Sequence, residues 1–131
     1  LEPLRRAAVV ALLLVAAACG GGGDKKADNA AHAQEGSATF AANCATCHGP
    51  NGTGGTAPTL NAKEMLSAAS DEQLTNIISV GIAGTQMRSW SNELGGPLDD
   101  DQIANVVAYL RSLEATAPSV PNWRQPKSPS S

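Results

Sequence analysis

Cys44-Ala45-Thr46-Cys47-His48 is the place in this chain where residue types and spacing point to chemistry. Two thiols three positions apart can each close a thioether onto one vinyl group of a porphyrin. The imidazole beside the second thiol then lies under the iron as proximal ligand. That is the pattern of covalent c-type haem attachment. Two other chemistries use paired cysteines. A dithiol redox motif needs a βαβ context, and no β-branched strand runs flank this one. A structural zinc site needs four protein ligands. The remaining Cys and His are Cys19 and His32, both in a polar or Gly-rich leading segment.

The motif needs elements to hold it. A first helix is predicted over 36–47, with Phe40 facing inward. Residues 49–59 are rich in Gly and Thr and read as a loop. Asn61, followed three residues later by Glu64, has the spacing of a helix start. Ser70 or Asp71 opens the next helix, with Leu74, Ile77 and Ile78 on one face and Gly81 at its end. The stretch from Gly81 to Pro97 is a long irregular loop, and such loops in compact domains are usually functional. The last helix is the clearest. Asp99 caps it, Asp100 and Asp101 suit the positive end of its dipole, and Arg111 suits the negative end. Ile103, Val106, Val107, Leu110 and Leu113 form its apolar stripe.

A haem with one histidine ligand has a second axial position. Met87, Met65 and His32 are the candidates. Met65 lies beside Leu66 in a predicted helix, where filling the core is its ordinary role. His32 sits in polar surroundings where a solvated histidine is expected. Met87 stands mid-loop between polar residues and has no periodic core face to join. A thioether is a soft ligand that raises the reduction potential.

Taken together, Gly36, Phe40, the Cys44–His48 motif, Gly49, the Met87 loop and the Asp99–Leu113 helix resemble the class I cytochromes c. The resemblance covers about Glu35 to Leu113. It implies an all-α fold of three to four helices wrapped around one covalently bound haem. It also implies that Tyr109 lies where the first and last helices cross, with Gly36 allowing their close approach. In Pro58-Thr59-Leu60 the family's proline carbonyl accepts a hydrogen bond from the proximal histidine, and that bond sets ring orientation and basicity. The family's axial methionine falls where Met87 stands. It is usually followed by a proline and an aromatic; here Arg88 takes the proline's place and Trp90 keeps the aromatic. The expected haem-binding set is therefore Cys44, Cys47, His48, Pro58, Leu60, Met87 and Trp90, with His48 and Met87 on the iron.

Composition and the flanking segments set the context. Only 3% of residues are aromatic, thin material for an ordinary core, so a bound haem would supply the missing apolar surface. The net charge of −3 carries no nucleic-acid footprint and reads as ordinary solubility. Residues 1–18 read as an export signal: Arg5 and Arg6 precede an apolar run from Ala7 to Ala18, too short for the ~20 residues a membrane-spanning helix needs. Cys19 is then the odd cysteine. It follows small residues directly, as the lipidated cysteine of bacterial lipoproteins does, although Ala16 stands where leucine is usual. An ordinary A-x-A cleavage at Ala16-Ala17-Ala18 is the alternative. Residues 19–34 are expected to be the lipidated cysteine and a flexible linker, 35–117 the cytochrome c domain, and 118–131 a disordered or polyproline-like tail whose Trp123 anchors loosely on its own domain.

Two strong axial ligands leave iron no open position for a substrate. The expected function is that of a monohaem carrier, not an enzyme, passing single electrons between membrane-associated redox partners in respiratory or photosynthetic transport. It would be held at the outer, periplasmic face of a cytoplasmic membrane by lipid on Cys19. A permanent haem subunit of a larger membrane oxidoreductase is the alternative, supported by the tail and the tether. A peroxidase or gas sensor would require Met87 to leave the iron.

Overall fold

The computed structural model describes residues 23–127, so the expected export signal, Cys19 and the last four residues lie outside it. The described residues are helical, without a β-strand. Their elements are α1 (Gly23–Asn43), α2 (Ala45–His48), α3 (Lys63–Ala68), α4 (Asp71–Val80) and α5 (Asp100–Leu113), joined by loops with short 3₁₀ turns. This is the expected all-α architecture. The pairing of α1 with α5 is the most extensive between any two elements.

Gly36 lets the two helices meet. It lies against the backbone carbonyl of Asn105, leaving no room for a Cβ. Phe40 from α1 and Tyr109 from α5 are both buried, with ring centroids 5.3 Å apart. The Tyr109 hydroxyl donates to Asn51 Oδ1 at 3.0 Å, which ties the crossing to the segment just after Cys44–His48. Ile103, Val106, Val107 and Leu110 complete the buried face of α5. Asp99 and Gln102 form a reciprocal capping box at its start, and Ser70 and Gln73 do the same for α4.

Four sequence expectations are corrected. Helix α1 begins at Gly23 rather than near Gly36, so most of the expected flexible linker is helical. Its Ala, Lys, Gln and Glu residues are strong helix formers even without an apolar stripe, and His32 and Glu35 dock on α5. Helix α3 starts after Ala62, not Asn61, and has no side-chain cap. Asn61 Oδ1 is buried without a hydrogen-bond partner, and Glu64 turns to the C-terminal segment instead. Ile77 does not share the buried face of Leu74 and Ile78 but is 38% exposed, because the apolar stripe of α4 is narrower than its sequence spacing allows.

The fourth correction concerns the tail. Residues 118–127 are not a free polyproline-like segment. Pro118 O accepts from Lys63 N at 2.9 Å, Trp123 O accepts from Thr59 N at 2.9 Å, and Lys127 N donates to Gly55 O at 2.9 Å. Val120 and Trp123 pack against the core. A proline-rich sequence has few local hydrogen bonds to offer, but its carbonyls can still accept from the loop beneath. Trp123 is the anchor on its own domain that the sequence suggested.

Candidate haem-attachment site

The end of α1 delivers the motif. Cys44 N bonds to Phe40 O, continuing the helical turn, and α2 carries Cys47 and His48 one turn further. Cys44 is half-buried and packs against the core, whereas Cys47 is exposed, and neither forms a disulfide. Burial pushes the Cys44 thiol up to about 11, and neighbouring Cys47 adds to the rise. A redox-active dithiol needs the opposite shift, toward a thiolate.

His48 is held by a backbone carbonyl. Its Nδ1 lies 2.9 Å from Pro58 O. A carbonyl can only accept, so the proton sits on Nδ1 and Nε2 keeps its lone pair. Burial lowers the His48 pKa, against the opposing effect of the Pro58 bond. A lowered pKa keeps the ring neutral, as a metal ligand must be. The loop carrying Pro58 doubles back on the motif: Ala57 N bonds to Cys47 O at 2.9 Å and Gly54 N to His48 O at 2.7 Å. Leu60 is half-buried against the core.

The second loop presents Met87. Its side chain is half-buried and packs against the core cluster. Met87 O accepts from Ile82 N at 2.8 Å, and Met87 N donates to Thr85 Oγ1 at 3.1 Å. Gly81, at φ +79°, turns the chain out of α4 so closely that a Cβ would stand 2.6 Å from Met87 O. Trp90 is pinned at both ends, N–H to Ile78 O at 3.1 Å and carbonyl to Leu98 N at 3.0 Å. Arg88 lies over its ring, 4.5 Å from the centroid, a cation–π contact where the family usually has a proline.

The other ligand candidates are occupied elsewhere. Met65 is a core residue, 3% exposed. His32 Nδ1 lies 2.7 Å from Asn105 Oδ1, and Asn105 Nδ2 donates to Glu35 Oε2 at 2.8 Å. This polar contact between α1 and α5 was not foreseen. Its signal was Asn105 itself, a polar residue within the apolar stripe of the last helix. Arg111 does more than face the helix dipole. It donates to the Leu66 carbonyl at 2.6 Å, to the Ala69 carbonyl, and to Asp71, joining α3 and α4 to α5. Cys19 lies outside the described residues. A cleft of about 370 Å³ between Trp123 and α4 is lined by none of Cys44, Cys47, His48 and Met87.

The donor set fits a covalently held haem: two thiols on one turn, a neutral imidazole with Nε2 free, and a thioether on a separate pinned loop. It does not fit zinc, since no cluster of three or more His, Cys, Asp or Glu able to hold a metal occurs among the described residues.

Comparison with known proteins agrees. The cytochrome c family model matches residues 33–114. This chain belongs to the cytochrome c family, a class that transfers electrons, and its cofactor is a covalent haem c. It is 39% identical over 88 residues to the cbb3-type cytochrome c oxidase subunit FixP of Azorhizobium caulinodans, covering 64% of this chain and 30% of that protein. It is 32% identical over 97 residues to the cbb3-type cytochrome c oxidase subunit CcoP of Azospirillum brasilense, covering 69% and 31% respectively. The chain therefore spans about a third of the length of these relatives. No solved structure gives a significant match. Among the described residues no helix is long and apolar enough to cross a membrane.

Proposed function

We propose that this protein is a monohaem carrier of single electrons, with His48 and Met87 as axial ligands and no substrate reaction of its own. The observation that carries the reading is the pair of restrained loops. One holds His48 through Pro58, and the other holds Met87 through Ile82, Thr85 and the Gly81 turn. Bound haem c supplies a one-electron couple. The chain's residues would hold the two ligands in place. In the oxidised protein a weak far-red band should report the methionine–iron bond. Met87→Ala should abolish it and open the iron to carbon monoxide, while Met65→Leu should leave it intact. Loss of the band with Met65→Leu alone would overturn the assignment.

A second reading, a permanent subunit of a membrane oxidoreductase, is favoured by the two relatives' membership of cbb3-type oxidases. The C-terminal segment supports it less than its sequence suggested, because residues 118–127 are committed to their own domain. Stoichiometric co-purification with an oxidase would favour it. For location, Cys19 behind an apolar run supports export and lipid anchoring on the outer, periplasmic face of the membrane. Lipid mass on Cys19, and release from membranes by Cys19→Ser, are the expected results; a soluble protein with unmodified Cys19 would refute the anchor.

A further inference from the structure

We infer that the C-terminal segment 118–127 is a strap that orients the Pro58 carbonyl and thereby tunes His48. The bond from His48 Nδ1 ends on Pro58 O at 2.9 Å. The next N–H along the chain, that of Thr59, donates to Trp123 O at 2.9 Å. These two groups belong to one peptide unit. Because that unit is planar and its C=O and N–H point in opposite directions, the strap grips the very plane that the histidine uses. Thr59 is buried, so no water can substitute for Trp123 O without opening the segment.

The grip is also electronic. An amide whose N–H is bonded becomes a stronger acceptor at its C=O, since hydrogen bonds in series polarise one another. A stronger acceptor draws on the Nδ1 proton and makes Nε2 a better donor to iron. That favours ferric over ferrous haem and lowers the potential. The strap is fastened on both sides of Trp123. Upstream, Pro118 O accepts from Lys63 N, and Glu64 accepts from Ser119 Oγ and from Val120 N at 2.7 Å. Downstream, Lys127 N donates to Gly55 O. Trp123 packs on the core, with Arg124 over its ring at 4.1 Å. The family match ends at residue 114, so the strap lies outside the matched residues. Trp123 is a positioning residue in this scheme, since it acts on the iron only through Thr59, Pro58 and His48.

This inference rests on His48 as proximal ligand, and the experiment separates the two. The haem-loaded full chain is compared with a chain ending at Ala117, with Trp123→Ala and with Trp123→Phe. Amide exchange at Thr59 and the reduction potential are measured for each. Exchange at Thr59 should rise about tenfold in the first two, the equivalent of one backbone hydrogen bond, and the potential should rise with it. Trp123→Phe, which keeps an aromatic anchor, should restore both. Faster exchange with an unchanged potential would overturn the inference by showing a merely structural strap. Unchanged exchange would overturn it by showing that the strap does not hold Thr59. Should the truncated chain fail to mature, Trp123→Ala decides. A wild-type spectrum without histidine ligation would instead overturn the ligand assignment.

Discussion

Gly36→Ala is the most informative single perturbation of the scaffold, because two effects of known size oppose each other there. Replacing glycine by alanine inside a helix ordinarily stabilises it by about 1 kcal/mol. At Gly36, however, the added Cβ would collide with the Asn105 backbone carbonyl and come within 3.0 Å of Tyr109 Cβ. A backbone group cannot move aside by changing rotamer, so α1 and α5 must part. Overpacking of this kind costs up to about 3 kcal/mol. Parting the helices also strains the Phe40–Tyr109 contact and the Tyr109–Asn51 bond, and a lost hydrogen bond adds about 1 kcal/mol. The net expectation is destabilisation by about 3 kcal/mol, after the propensity gain is subtracted from the sum. With a urea m-value of about 2 kcal/mol/M for a small domain, the unfolding midpoint should fall by about 1.5 M. The assay is urea unfolding of the haem-loaded protein followed by far-UV circular dichroism. A midpoint that stays put or rises would show that propensity outweighs the crossing, and the close-approach argument would fail.

Further outcomes follow from other contacts. Pigment should stay on the chain in a denaturing gel stained for haem, and Cys44→Ala should leave a single thioether and a poorly matured protein; complete haem loss on acid–acetone extraction would refute covalent attachment. The hydrogen bonds from Ser119 and Val120 hold the Glu64 carboxyl below its ordinary 4.5. Its contribution is therefore full above that value and lost as pH falls through the lower folded value; a pH series of unfolding midpoints should show a loss in acid that Glu64→Gln lacks. Arg111→Ala leaves the Leu66 and Ala69 carbonyls without their charged donor and removes the Asp71 pair. It should cost about 2 kcal/mol in the same unfolding assay, whereas a surface salt bridge alone would give under about 1 kcal/mol.

Local spacing by itself determined the chemistry of this protein. Thioether formation and proximal ligation depend on residues one to three positions apart, so Cys44, Cys47 and His48 could be named as candidates from the sequence alone. The caps at Ser70 and Asp99 and the stripe of α5 were legible for the same reason: each is a pattern within a turn or two of helix. What required the tertiary structure were partners distant in the chain. Asn105 meets His32 and Glu35 some seventy positions away. Glu64, whose spacing suggested a helix cap, turns to Ser119 and Val120. The segment before Gly36 carries no apolar stripe, so its helix was hidden from periodicity and became visible only through its propensity and its docking on α5. The tail misled most. Proline and serine content reports a lack of local hydrogen bonding, but it does not tell whether N–H groups elsewhere in the chain lack partners. Thr59 in the loop and Lys63 at the start of α3 offer theirs, and only the folded chain brings them beneath Trp123 and Pro118.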